Sequence, residues 1–185
     1  MTDRNSKVMR TREMILDVIR ELTIEIGISN ITILNIAKRA GINRSTFYLH
    51  FSNKEESIRV MREELLEEFR ESLQDGDLVD INQAYKNYYK HNKPYYEAIK
   101  LFSHINNYSE LYKILTLDQN FQILMNEVLL THIRQFNKKD SVLSFFSYGI
   151  IGLIQYWLKN GMKESIEEIS LELTNITIDI AVKKE

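Results

Sequence analysis

The chain has 185 residues, 44% hydrophobic and 27% charged, with one proline, six glycines and no cysteine. That length and apolar content suffice to bury a sizeable core, the scarcity of proline and glycine favours helices throughout, and the lack of cysteine excludes disulfides and thiolate metal sites. A formal charge of −2 excludes a bulk cationic attraction to nucleic acid, although residues 1–60 carry ten Lys or Arg against seven Asp or Glu, a balance of +3 that leaves −5 for the remainder.

The first ten residues, MTDRNSKVMR, are charged and lack the apolar stretch of a secretory signal, so the cytoplasm is the expected compartment. A first helix is expected over 7–26, with Ile15, Val18, Ile19, Leu22 and Ile26 as its buried stripe and Gly27 closing it. The next stretch, ITILNIAKRAGINRSTFYLHFSNKEES over 31–57, holds two short helical patterns that meet at one glycine. Ile33, Ile36, Ala37 and Ala40 recur at three- and four-residue steps, with Thr32 where an N-cap hydroxyl belongs. Gly41 ends that helix, and Asn43 is a good N-cap for a second one beginning at Arg44. Phe47 and Phe51, four apart, share the inward face of the second helix. Arg44, Ser45, Thr46, Tyr48 and His50 are left to point elsewhere, and these are residue types that bind phosphates and base edges. The layout is a helix-turn-helix.

A long helix follows from about 53 to 73, with Lys54 in its first turn. Its run of Glu63, Glu64, Glu67, Glu68 and Glu71, interleaved with Leu65, Leu66 and Phe69, reads as a solvated helix face. Residues 74–82, QDGDLVDIN, form a polar break. Helices are then expected over 82–91, 94–105, 111–116 and 119–136, with Pro94 at a first helical position. From 142 to 158, VLSFFSYGIIGLIQYWL has no charge, yet it is short for a membrane span and diluted by serines, glycines, Gln155 and two tyrosines. A helix buried between protomers fits it better, with Gly149 and Gly152 allowing close approach. The last helix, from 164 to about 182, repeats Ile166, Ile169, Leu173, Ile176 and Ile180 at three- and four-residue steps, which suits a second interface helix of a twofold dimer. The expected interface comprises Phe145, Gly149, Gly152, Tyr156, Ile169, Leu173 and Ile176.

Several matching pieces identify a resemblance: Thr32 opening a helix, the Ile36-Ala37 pair, Ala40-Gly41-Ile42 at the turn, Thr46-Phe47-Tyr48, His50-Phe51 and Asn53-Lys54-Glu55. Together they resemble the DNA-binding domain of the tetracycline-repressor (TetR) family of bacterial transcription regulators, over roughly residues 8–70. Near the C-terminus, YGIIGLIQYWLKNGMKESIEEIS resembles the dimerising helices of a Gram-positive branch of such regulators, which usually shows proline where this chain has Ile166. The departure touches only a helix start.

The resemblance implies an all-α fold of about nine helices: a three-helix helix-turn-helix domain over 1–52, then a ligand-binding and dimerisation domain over 53–185. It implies a regulator of transcription, a repressor by default, that binds a pseudo-palindromic operator in double-stranded DNA as a homodimer and releases it when a small-molecule effector binds the body. The positions matching Thr32, Tyr48, His50 and Lys54 commonly touch phosphates in the family, and those matching Arg44, Ser45 and Thr46 approach bases. The effector pocket is expected among the many phenols and polar groups of the body, at Tyr85, Tyr88, Tyr89, Phe102, His104, Tyr108, Tyr148 and Gln155. A coactivator or interaction protein of the same fold, acting through a protein partner, is the alternative. His50, His91, His104 and His132 make no two-His-plus-Glu pattern, and no thiol nucleophile or Gly-rich phosphate loop is present. No enzymatic activity, metal, cofactor or membrane association is expected.

Overall fold

The structure is a computed structural model that describes the backbone of residues 2–74, 86 and 88–182, and side chains over 6–73, 86 and 88–178. Among the described residues every regular element is helical, and the chain divides into two compact units, Met1–Leu65 and Leu66–Glu185. The division falls inside a long helix. The polar break expected over 74–82 and most of the helix expected over 82–91 lie outside the described residues.

In the first unit, α1 spans Thr2–Ile26 and starts earlier than its apolar stripe does. Ile15, Val18, Ile19 and Leu22 are buried as the spacing predicts, joined by Leu16 and by Thr23, whose hydroxyl donates to the Ile19 carbonyl at 2.8 Å. Ile26 is exposed instead of buried, because the helix ends there and Gly27 turns the chain away with φ +76°. A short turn, Ile28–Asn30, leads to α2, Ile33–Arg39. Thr32 caps α2 in a reciprocal box: its Oγ1 accepts from the Asn35 amide at 3.1 Å while the Asn35 Oδ1 accepts from the Thr32 amide at 3.2 Å. The turn after α2 needs Gly41 at φ +65°, which brings the Ile42 amide to the Ala37 carbonyl at 3.0 Å. The recognition helix α3 is short, Arg44–Tyr48. Asn43 holds its N-cap position without a side-chain bond to the helix, so the entry to α3 rests on backbone geometry alone.

Helix α4, Lys54–Gln74, carries the chain across the division. Asn53 Oδ1 accepts from the Glu56 amide at 2.7 Å and the Glu56 carboxylate accepts from the Ser52 amide at 2.6 Å, which fixes the start of α4. In the second unit the helices are α5 (Tyr96–Asn107), α6 (Ser109–Leu115), α7 (Gln119–Ile133), α8 (Asp140–Lys159) and α9 (Ile166–Val182). Helix α9 packs on α5, and α8 packs on α7 and α6. Pro94 lies outside α5: Tyr95 is the N-cap in extended backbone, its amide held by Thr174 Oγ1 of α9 at 3.1 Å, so the helix cannot begin earlier. The helix expected to reach residue 136 ends as α7 at Ile133, tightens into a turn at Arg134–Phe136, and stops where Asn137 adopts φ +48°. Ile166 does open α9, behind an N-terminal box in which Ser165 and Glu168 exchange bonds of 2.8 and 3.2 Å.

The core of the second unit is apolar and most of its buried polar groups are paired, the Ser170 hydroxyl being an exception. Trp157 lies edge-on to Phe102, with centroids 5.4 Å apart, and its indole N–H donates to the Glu164 carbonyl at 2.9 Å. Ser147 donates to Asn126 Oδ1 at 2.6 Å between α8 and α7. The Thr116 carbonyl, at the end of α6, accepts from both Gln122 and Gln155, each at 2.7 Å.

Candidate nucleic-acid interface and sensor sites

The helix-turn-helix presents its polar side chains outward because its apolar ones are fully used. Phe47 and Phe51 are buried, with ring centroids 5.7 Å apart, and their burial fixes the rotation of α3. That rotation leaves Arg44, Ser45 and Tyr48 exposed and Thr46 half-buried. Arg44 forms no ion pair among the described residues, whereas Arg39, on the preceding helix, is held bidentately by Glu25 at 2.9 and 2.6 Å and by Glu21 at 3.2 Å. Of these two arginines, Arg39 is therefore locked in place and Arg44 is available. Tyr48 stands edge-on to Phe47 at 5.7 Å, which orients its phenol without occupying the hydroxyl. Thr32 is exposed, but its Oγ1 already serves the cap, so any phosphate contact there competes with Asn35. Lys54 opens α4 with its ammonium 3.8 Å from Glu55, beside the amides of a helix N-terminus.

Two residues escaped the sequence reading. Arg12 of α1 donates to the His50 carbonyl at 3.4 Å and its guanidinium lies 4.7 Å from the centre of the Phe51 ring, so it braces the end of the recognition segment. The signal was one arginine in line with the apolar stripe of Ile15, Leu16 and Ile19 on α1, too weak to single out. Leu49, 83% exposed at the C-cap of α3, stands between Tyr48 and His50. Its apolar type removed it from a search for polar binders, although a leucine can meet a thymine methyl.

In the second unit the expected pocket residues do not converge. Tyr85 lies outside the described residues. Tyr88 donates to Asn175 Oδ1 at 3.0 Å and stands edge-on to Tyr89, which is exposed. Phe102 is core, Gln155 is committed to the Thr116 carbonyl, and Tyr148 points outward from α8. Apart from the Tyr88–Tyr89 pair, His104 and Tyr108 are neighbours, at 5.1 Å between rings, in a cluster with Phe69 and Tyr112. His104 Nε2 and the Tyr112 hydroxyl share a hydrogen bond of 2.8 Å. Burial holds the imidazole down at about 4, against a small opposing pull from Glu68, and pushes the Tyr112 hydroxyl well up. The folded protein thus keeps a neutral His104 that the unfolded chain protonates below about 6.5. Stability falls as pH drops through the window between those values, by no more than about 3 kcal/mol. A His104→Gln variant is expected to lose most of that slope when unfolding midpoints are compared at neutral and mildly acidic pH.

A cavity does exist in the second unit, but elsewhere: its walls include Leu101, Leu129, Phe146 and Ile150, with Tyr95, Glu97 and His132 as its polar members. Among the described residues, none of those expected from tyrosine density lines it.

Among the residues expected at an interface, Ile169 and Leu173 are 0% and 2% exposed, filling the protomer's own core where α9 meets α5, which corrects the expectation that they present to a partner. Phe145, Tyr148, Gly149, Gly152 and Tyr156 form one exposed stripe along α8, at steps of three and four, while Leu143, Phe146, Ile150, Ile154 and Trp157 bury the other face. Ile176 is also exposed, on α9. By length and composition alone α8 is long and apolar enough to cross a membrane, but it has a buried and an open side, unlike a span bathed all round by lipid.

Comparison with known proteins gives consistent findings. The profile of bacterial regulatory proteins of the tetR family matches residues 15–57, and a transcriptional regulator C-terminal region profile matches residues 83–179, more than half of the chain. No curated protein matches the chain. Among solved structures, a TetR transcriptional regulator from Streptococcus agalactiae 2603V superposes with a TM-score of 0.69 at 19% identity, over 94% of this chain and 96% of that one. The dihydroxyacetone kinase operon activator DhaS gives 0.65 at 19% identity, over 95% and 98%. SmeT, the repressor of a Stenotrophomonas maltophilia multidrug efflux pump, gives 0.65 at 15% identity, over 91% and 88%. These likenesses establish a shared fold, and with both profiles in place, one over the helix-turn-helix and one over most of the second unit, the chain belongs to the TetR family of bacterial regulatory proteins.

Proposed function

We propose that this transcription regulator binds a pseudo-palindromic operator as a homodimer in the cytoplasm and leaves it when a small molecule binds the helical body. The supporting observation is the set of polar groups on α3: Arg44, Ser45 and Tyr48 are exposed, and among the described residues no side-chain hydrogen bond or ion pair occupies them. Arg44 suits a bidentate pair with guanine or a phosphate grip, Ser45 and Thr46 reach base edges, and Thr32, Tyr48, His50 and Lys54 hold backbone phosphates. Residues 1–52 act as the DNA-binding head and 53–185 as the sensor and dimerisation body. The open stripe on α8, with Ile176 of α9, is the proposed twofold interface. It would place two recognition helices in successive major grooves, and effector binding would change their separation.

Repression is the proposed sign. The same fold serves an operon activator, DhaS, and a repressor, SmeT, so the sign is settled by transcription and not by architecture. The test is selection of random duplex DNA by the full-length protein, repeated with an Arg44→Ala, Tyr48→Ala double variant. A palindromic consensus that disappears in the folded variant is the expected result. A folded dimer that enriches no sequence overturns the reading and leaves regulation through a protein partner.

A further inference from the structure

The cavity of the second unit has a chemical polarity that names a ligand class. Leu101, Leu129, Ile133, Phe146 and Ile150 give it apolar walls from three helices. At its polar members, the Tyr95 hydroxyl shares a 3.3 Å hydrogen bond with Thr177 Oγ1, and burial with the nearby Glu97 carboxylate pushes it up to about 12, so it stays neutral. Burial also holds the His132 imidazole below its ordinary range, which favours its neutral form. Among the described lining residues, Glu97 alone brings a formal charge, from the first turn of α5. The cavity as it stands is small, about 20 Å³, room for about one water. An alkyl chain therefore enters only by parting α5, α7 and α8.

We propose that this cavity binds a cationic amphiphile, its alkyl tail between Leu101, Leu129, Phe146 and Ile150 and its ammonium-type head on the Glu97 carboxylate. The assignment deepens the effector reading above and rests on it for its regulatory meaning. A cation leaving water at the half-exposed edge of the site needs a partner of opposite charge, which Glu97 supplies. A carboxylate-headed ligand of the same tail would meet Glu97 with no cation in the lining to answer it, so the site discriminates by repulsion as well as attraction. A neutral alcohol falls between them.

The test is calorimetric titration of the full-length protein, without DNA, with dodecylamine, dodecanol and dodecanoate below their micellar concentrations. Dodecylamine is expected to bind at least about tenfold more tightly than dodecanoate, with dodecanol between. Glu97→Gln, at a half-exposed position that leaves the core intact, is expected to weaken dodecylamine about tenfold and leave dodecanol unchanged. Leu129→Phe, which fills the cavity, is expected to weaken all three. If that variant melts early, the Glu97→Gln comparison between amine and alcohol decides alone. Dodecanoate binding as tightly as the amine, no saturable amine binding, or an amine affinity indifferent to Glu97→Gln each overturns the proposal. The titration contains no DNA, so failure to select an operator leaves the site standing, while amine binding that never releases a selected operator refutes the effector role only.

Discussion

Trp157→Ala is expected to lower the unfolding free energy by about 3–5 kcal/mol, the range for removing a fully buried large aromatic. Trp157 is 1% exposed, the largest of the fully buried side chains, and its ring stands edge-on to Phe102. Truncation takes away that contact and leaves a cavity between α8 and α5 that surrounding helices can only partly close. It also strands the Glu164 carbonyl, which receives the indole N–H at 2.9 Å where the chain turns from α8 toward α9. Trp157→Phe separates the two effects: the ring contact is largely kept while the Glu164 carbonyl loses its donor, so a smaller loss of about 1–2 kcal/mol is expected. Urea unfolding followed by circular dichroism measures both. Equal losses for the two variants would mean that the hydrogen bond, and not packing, carries the stability of this corner.

The second large effect concerns assembly. Phe145 is 77% exposed at the N-terminal end of the stripe formed with Tyr148, Gly149, Gly152 and Tyr156. Phe145→Asp places a charge where a twofold contact would bury two copies of the residue near each other. The expected result is a folded monomer by sedimentation at micromolar concentration, an unfolding midpoint that no longer rises with protein concentration, and operator affinity reduced at least about a hundredfold because half-sites are then bound singly. A variant that stays dimeric would move the interface off α8.

The helix-turn-helix was readable from sequence because its determinants are local. A threonine cap, a glycine that must take φ +65° and two phenylalanines four residues apart specify it within twenty residues, and the structure repeats each one. The body was less readable for a reason visible at Ile169 and Leu173. Their three- and four-residue spacing declares an apolar face without saying whether that face meets the chain's own α5 or another molecule. Residues of the same repeat divide, with Ile169 and Leu173 inside and Ile176 outside. The pocket shows the same limit. A density of tyrosines drew attention to Tyr88 and Tyr89, which lie at the surface, whereas Tyr95, Glu97 and His132 become neighbours only when helices distant in sequence come together. The end of α7 failed differently: the apolar period runs on to Phe136, but Asn137 turns left-handed and the last turn tightens.

Gly149 and Gly152 have no atom within 4 Å of where a Cβ would stand, and neither takes a positive φ. An alanine would fit both places and would raise the helix propensity of α8 by about 1 kcal/mol at each. The folded protomer taken alone therefore gains nothing from either glycine and is weaker for having them. In the twofold contact proposed for α8, the same two positions would form a side-chain-free strip against which a second backbone could lie closely, so the stability given up within one chain would be recovered between two.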